Sequence, residues 1–233
     1  MEHIMMQVKL GYIKIEGSET IDLEILKALN ELEYATSRMI TMYLNLKGMD
    51  VAQQKIHRRL HYLNRVKVIS SYEFQSKDEE SNIKKSQIPI YFLDLSGTLI
   101  LKSRDIPCYW QIEDTIKPKY SIKEILSRNQ LMLTYIIKIK NIEYTKVRPM
   151  YKLINGEDLF PELQIVFNDA NNNTLQYTFF EFIRTFDGWQ NKMINKLNKY
   201  KFFYDNFKPS NKISSPPALI LVAENDTHAF NIL

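Results

Sequence analysis

Read for the spacing of its apolar residues, the first third of the chain is helical three times over. In TIDLEILKALNELEY, Ile21, Ile25, Leu26, Leu29 and Leu32 fall on one helical face, and Thr20 or Ser18 ahead of them offers a cap. ATSRMITMYLNLKG places Met39, Ile40, Tyr43 and Leu44 behind a capping Ser37 and ends at Gly48. A third helix, DVAQQKIHRRLHYLNRVKVI, opens with Asp50 as its cap and turns Val51, Ile56, Leu60 and Leu63 inward, which leaves Gln53, Gln54, Lys55, Arg58 and Arg59 mostly outward. The period then drops to two. VISSYEFQ and IPIYFLDLS read as strands, and the KDEESNIKKS between them suits a solvated hairpin tip.

SRDIPCYWQIEDTIKPKY has prolines at 107 and 118 and no sustained period, so it reads as a linker over 104–120 between an N-terminal domain, 1–103, and a second domain, 121–233. In the second domain, SIKEILSRNQLMLTYIIKIK carries an apolar stripe through Ile122, Ile125, Leu126, Met132 or Leu133 and Ile136. Strand candidates YTKVRPMYKLI, LQIVFND and LQYTFFEFIRTF follow, the last two joined by ANNNT, whose asparagines suit a tight turn. WQNKMINKLNKYKFFYDNF returns to helical spacing with Trp189, Met193, Leu197 and Tyr200 on one face, and PPALILVAEN reads as a short buried strand. The fold class is α+β, with helices flanking a mixed sheet in the second domain.

Composition narrows the picture. With 233 residues, 45% of them hydrophobic and 25% charged, both halves have enough apolar material to fold. One cysteine, Cys108, excludes an internal disulfide and a cysteine-based zinc cluster. No apolar run approaches the ~18 residues that span a bilayer, and the first residues lack the pattern of a signal peptide, so a cytoplasmic protein with no membrane partner is expected. A net charge of +4 permits nucleic-acid binding without demanding it, so the distribution of charge carries the argument.

Helix, helix, helix and hairpin is the order of a winged helix-turn-helix, in which the third helix enters the major groove of double-stranded DNA. Gln53 and Gln54 suit the paired donor and acceptor edge of adenine, and Arg58 or Arg59 suits guanine or phosphate. Lys55 and His57 serve either role, and Lys84 and Lys85 at the hairpin tip are placed for phosphates or the minor groove. His57 and His61 also have metal-ligand spacing, but no further cysteine or acid in the sequence pattern completes a site, so they are read as surface or groove residues and no metal or cofactor is expected. A homodimer would read half-sites about one helical turn apart.

IDLEILKALNELEYATSRMI, QQKIHRRLHYLNRVKVI and YFLDLSGTLILK together resemble the winged-helix domain of the replication-relaxation proteins of Gram-positive plasmids and integrative elements. The pattern is a leucine-rich third helix with paired arginines, then an aromatic-x-leucine strand and a glycine. Arg58, Arg59, Leu60, Leu63, Tyr91, Leu93 and Gly97 fill it. SRNQLMLTYI, FPELQIVF, YTFFEFIRTF and NKLNKYKFFY continue the resemblance through most of the remaining chain.

These later segments also resemble the core of the PD-(D/E)xK nucleases, whose restriction-endonuclease-like fold the resemblance implies. Pro161, Glu162 and Glu181 match two of its acidic positions, which in that fold bind Mg²⁺ beside a lysine that activates water. Ile183 stands at the lysine position and can neither hold a metal nor move a proton. Arg184 is expected on the opposite strand face. A lysine from the next helix, Lys192 or Lys196, is the remaining way to complete the set.

The expectation is therefore a non-catalytic, sequence-specific DNA-binding protein of a plasmid, phage or other mobile element. It would act in replication, transfer or transcriptional control, alone or with replication or transfer proteins. A metal-dependent nuclease or nicking accessory and a protein-bridging scaffold are the rivals. The lysines around Lys192, Lys196, Lys199, Lys201, Lys208 and Lys212 could follow a phosphate backbone or simply keep their helix solvated, and Phe202, Phe203, Tyr204 and Phe207 read as core or subunit interface.

Overall fold

The computed structural model describes residues 19–73, 88–108, 110–169, 174–184, 188–209 and 215–223. The chain divides into two compact units, Met1–Lys117 and Pro118–Leu233, so residues 104–117 of the expected linker belong to the first unit. Lys117 is tied into it by an ion pair with Glu33 at 2.9 Å. Among the described residues no helix is long and apolar enough to cross a membrane.

The first unit runs α1 (Glu19–Leu32), β1 (Ala35–Thr36), α2 (Ser37–Leu46), α3 (Gln53–Arg65), β2 (Ile69–Glu73), β3 (Pro89–Leu93) and α4 (Leu95–Lys102). Helix α1 begins at Glu19, so Thr20 lies inside it rather than capping it. Thr36, not Ser37, caps α2: its hydroxyl accepts from the Met39 amide at 3.3 Å. Gly48 follows α2 with a positive φ of 83°, the left-handed turn that glycine makes without steric cost.

Asp50 does not cap α3. It adopts a positive φ of 47° in the turn, and the N-cap position is Ala52, with no side-chain bond. Asn45 holds this turn instead, accepting from the Val51 amide at 2.7 Å and donating to the Val51 carbonyl at 3.3 Å. Both ends of Val51 are thereby fixed, which sets where α3 starts.

Strands β1, β3 and β2 form an antiparallel sheet in that order, with Ser71 opposite Tyr91 and Ala35 on the other side of Tyr91. The segment that links β2 to β3, with the expected tip residues Lys84 and Lys85, lies outside the described residues. The unit's core gathers Ile25, Leu29 and Leu32 of α1, Ile40 and Leu44 of α2, Ile56, Leu60 and Leu63 of α3, and Tyr91 and Leu93 of β3, all buried. Each such aliphatic side chain contributes roughly 1.5–3 kcal/mol by leaving water.

LSGTLILK is helical, whereas the strand expected over IPIYFLDLS runs on to Ser96. Asp94 starts this helix, its carboxylate accepting from the Leu95 amide at 2.7 Å and from the Ser70 hydroxyl at 2.7 Å. Gly97 is there because of close approach: a Cβ would sit 2.5 Å from the Val68 carbonyl oxygen.

The second unit runs α5 (Lys119–Lys138), β4 (Ile142–Val147), β5 (Tyr151–Lys152), β6 (Asp158–Leu159), β7 (Leu163–Asp169), β8 (Thr174–Phe182), α6 (Trp189–Asp205) and β9 (Ala218–Val222). The expected strand YTKVRPMYKLI is two strands, broken where Arg148 takes a positive φ of 46°. Its second half pairs with β6 as a separate two-stranded hairpin. The main sheet is ordered β4-β7-β8-β9. β7 is antiparallel to both neighbours, and β9 joins β8 in parallel after α6 has crossed over.

PPALILV was expected to be buried, but β9 is a sheet edge among the described strands, and Ile220 is exposed. Helix α5 covers the sheet with Ile122, Ile125, Met132 and Leu133. Around Phe179 and Tyr200, Leu153 and Leu159 complete a cluster that Phe202, Phe203 and Tyr204 cover, so these aromatics are packing residues. The ANNNT turn lies mostly outside the described residues.

Candidate functional site

Two places gather the residues singled out by sequence, one in each unit. In the first, α3 has two unlike sides. Ile56, Leu60 and Leu63 are buried, while Gln53, Gln54, Lys55, His57, Arg58, His61 and Arg65 are exposed. The helix contains no acidic residue, and Lys55 and Arg58 make no ion pair among the described residues. The open side is therefore polar and cationic over three turns.

Arg59 does not belong to that side. Its Nε donates to Asp22 Oδ1 at 2.8 Å and a second guanidinium nitrogen donates to Oδ2, which makes a bidentate bridge from α3 to α1. The hydrogen bond to Asp22 raises the Arg59 pKa above its ordinary value. Asp22 is 3% exposed and sits among the apolar residues of α1. The guanidinium also lies 4.6 Å from the centroid of the Tyr62 ring. Arg58 and Arg59, adjacent and chemically identical, thus divide into a solvent-facing cation and an internal tie. The only sequence signal was Asp22 itself, an acid inside an apolar stripe.

His57 and His61 meet on the open side. Their Nε2 atoms are 3.1 Å apart, and the rings stand edge to face with centroids separated by 4.4 Å.

In the second unit, Glu124 of α5, Glu162 ahead of β7, Glu181 of β8 and Lys192 and Lys196 of α6 line a small open pocket with Ile183, Arg184 and Trp189. The sequence reading paired Glu162 with Glu181, and the fold brings them together through one cation. Lys196 Nζ lies 2.5 Å from Glu181 Oε2 and 3.5 Å from Glu162 Oε1. The Tyr200 hydroxyl donates to Glu181 Oε1 at 2.5 Å, and Arg148 Nε donates to Glu162 Oε2 at 2.9 Å.

Burial pushes the Glu181 carboxyl up, and Lys196 and Tyr200 offset this only in part. Burial acts the same way on Glu162, but Arg148 and Lys196 outweigh it and hold that carboxyl below the ordinary range. Glu124 is raised by burial, with Lys192 at 3.9 Å a weak counterweight. Ile183 is buried, its amide bonded to the Val222 carbonyl at 2.9 Å. Arg184 lies past the end of β8, so strand alternation does not govern it, and it bonds the Ser127 hydroxyl of α5.

No protein-family model, curated protein or solved structure matches this chain.

The nuclease resemblance implies Mg²⁺ at Glu162 and Glu181 beside a lysine, and Lys196, one of the two α6 lysines able to complete that set, lies against both carboxylates. Among the described residues no three His, Cys, Asp or Glu side chains group closely enough to hold a metal ion. Sequence reasoning named Lys196 as one of two lysines able to reach this place, but it did not find Glu124, Arg148 or Tyr200. Of the other lysines on α6, Lys199 donates to the Asp158 carbonyl at 3.3 Å, and Lys201 is exposed, as is Lys208 beyond it.

Proposed function

We propose that the chain binds double-stranded DNA through the open side of α3, with the first unit acting as a winged helix-turn-helix. The observation that carries this reading is the composition of that side. Gln53, Gln54, Lys55 and Arg58 are exposed together on a helix with no acid, and the helix is anchored from behind by Ile56, Leu60, Leu63 and Arg59. Glutamine amides match the adenine edge in the major groove, and lysine and arginine match phosphates. The three helices followed by an antiparallel strand pair, with β1 as third strand, supply the matching order of elements.

In this reading Arg59 is a positioning residue. It fixes the rotation of α3 about its axis and so decides which side chains face outward. The resemblance to replication-relaxation proteins supports a role in replication, transfer or transcriptional control of a mobile element, in the cytoplasm. The second unit takes the role of a nuclease-like domain without catalysis. One residue supports this, the buried Ile183 at the lysine position; Lys196 beside Glu162 and Glu181 is the observation that favours the nuclease rival.

Fluorescence anisotropy on duplexes selected from a random pool tests the DNA reading. Lys55→Ala with Arg58→Ala should weaken binding to every duplex about tenfold or more, and should reduce the slope of log affinity against log salt by up to about 2. Gln53→Ala or Gln54→Ala should change base preference at defined positions by about 1–3 kcal/mol. Unchanged affinity and slope in the double variant sinks the assignment. Incubation with supercoiled plasmid and Mg²⁺ or Mn²⁺ tests the second unit, since strand scission that disappears in Glu181→Ala would make it an enzyme.

A further inference from the structure

From the geometry of the histidine pair we infer that His57 and His61 form a binding site for a borderline divalent transition-metal ion, with Cu²⁺ and Ni²⁺ preferred over Zn²⁺. The two Nε2 atoms face one another at 3.1 Å on the exposed side of α3. An ion at a metal–nitrogen distance of about 2.0–2.1 Å from both would subtend an N–M–N angle of about 95–100°. That is close to the cis angle of square-planar or octahedral coordination and narrower than a tetrahedron prefers, and imidazole pairs follow the affinity order that peaks at copper.

The helix does most of the ordering in advance. Residues four apart lie over one another on an α-helix, so both rings already share one face and neither has to cross the helix to reach the ion. The edge-to-face ring contact at 4.4 Å holds the two together without metal, and the ring nitrogens share one hydrogen bond. Binding requires both Nε2 lone pairs. The ring whose Nε2 carries the proton therefore changes to the Nδ1–H tautomer.

Two protein ligands leave the remaining positions to water. The site is exposed, so those positions stay open to an outside donor such as purine N7. The flanking Lys55, Arg58 and Arg65 oppose a dication, so its affinity should be micromolar and should rise with ionic strength, opposite to the trend for DNA. An ion held here adds positive charge on the side assigned to DNA. That consequence rests on the DNA reading, whereas the metal site does not.

The untagged full-length chain carrying His3→Ala, which removes the Met1-Glu2-His3 sequence that would itself chelate Cu²⁺ and Ni²⁺ through a free amino group, is titrated with Cu²⁺ and with Ni²⁺ in the absence of DNA, by calorimetry and by Cu²⁺ electron paramagnetic resonance; wild type and variants below all carry His3→Ala. One equivalent should bind at micromolar affinity with nitrogen splitting from two imidazoles, and Zn²⁺ should bind more weakly. His57→Ala and His61→Ala should each weaken Cu²⁺ binding about tenfold or more, while Lys55→Ala should leave it intact or tighten it. If the wild type binds neither ion, or the double histidine variant binds as the wild type does, the site does not exist. Because DNA is not in the cell, either result leaves the groove assignment untouched. Anisotropy with and without Ni²⁺ then reads the coupling: tighter DNA binding in the wild type but not in His61→Ala is expected.

Discussion

Replacing Arg59 by alanine removes one partner of a bridge whose other partner cannot reach water. Asp22 is 3% exposed, so in the variant its carboxylate stays buried with no cation beside it. Stranding a buried charge in this way costs about 3–5 kcal/mol. Against the roughly 0.05–0.15 kcal/mol per residue that holds ordinary domains together, this is a large share of the first unit's stability. The reverse variant, Asp22→Ala, is milder. The Arg59 side chain is 18% exposed and can turn outward, so the loss should be nearer 1–2 kcal/mol. The double variant should resemble Asp22→Ala alone, which is a coupling of about 3–5 kcal/mol between two residues 37 apart in sequence.

The chain has two tryptophans, Trp110 in the first unit and Trp189 in the second. A Trp189→Phe background therefore lets urea unfolding of the first unit be followed in the full chain by Trp110 fluorescence. Arg58→Ala should keep the wild-type midpoint and lose DNA affinity. Arg59→Ala should lose the midpoint, and Arg59→Lys should recover only part of it because an ammonium cannot make the forked contact. An Arg59→Ala protein with wild-type stability and a DNA defect equal to that of Arg58→Ala would refute the division of roles.

Gly97→Ala should destabilise the first unit by about 1–3 kcal/mol, read as a lower urea midpoint, because its Cβ would meet the Val68 carbonyl oxygen, which is backbone and cannot swing aside. Glu124→Gln should raise the melting temperature at pH 8 and change it little at pH 4. A carboxyl whose folded pKa is raised stabilises the fold below its unfolded value and loses that contribution as pH rises through the folded one, and the amide carries no such penalty. Glu162 has the opposite sign: its pKa is lowered, so its contribution is present above the unfolded value and is lost on acidification, and Glu162→Gln should flatten the acid limb of a pH-melting curve. Lys196→Met should lower the melting temperature at neutral pH and less so at pH 4, where the stranded Glu181 takes up a proton.

How much of this was legible in the sequence depended on the range of the interaction. Helices α1, α2 and α3 were legible because Ile25, Leu29 and Leu32, or Ile56, Leu60 and Leu63, repeat at a period that needs no partner to be recognised. Helix α4 was not legible because its eight residues hold only Leu95 and the run Leu99, Ile100 and Leu101, too short a stretch for a helical period to stand out. What decides it is the Asp94 carboxylate on the Leu95 amide and the fit of Gly97 against Val68, neither of which is a matter of period. The start of α3 was misplaced for a similar reason. An aspartate before a helix normally caps it, but Asn45, upstream in the preceding helix, had already taken the turn.

The candidate site divides along the same line. Exposure of Gln53, Gln54, Lys55 and Arg58 follows from their place on the helical wheel, but Arg59 lies at the edge of that wheel, where a few degrees of rotation decide between solvent and interior. Its assignment needed Asp22, which is far away in sequence and is visible only as an acid among leucines. Glu162 and Glu181 were found by pattern, and Ile183 was enough to question catalysis. The cation that answers them comes from α6, where Lys192 and Lys196 are alternatives in sequence. Only the crossing of that helix over β8 selects Lys196. A strand position that has lost its lysine therefore says nothing about whether the neighbouring carboxylates are left unpaired. Lys196→Met can decide the point by its pH dependence, which requires the pair to be energetically coupled in the folded chain.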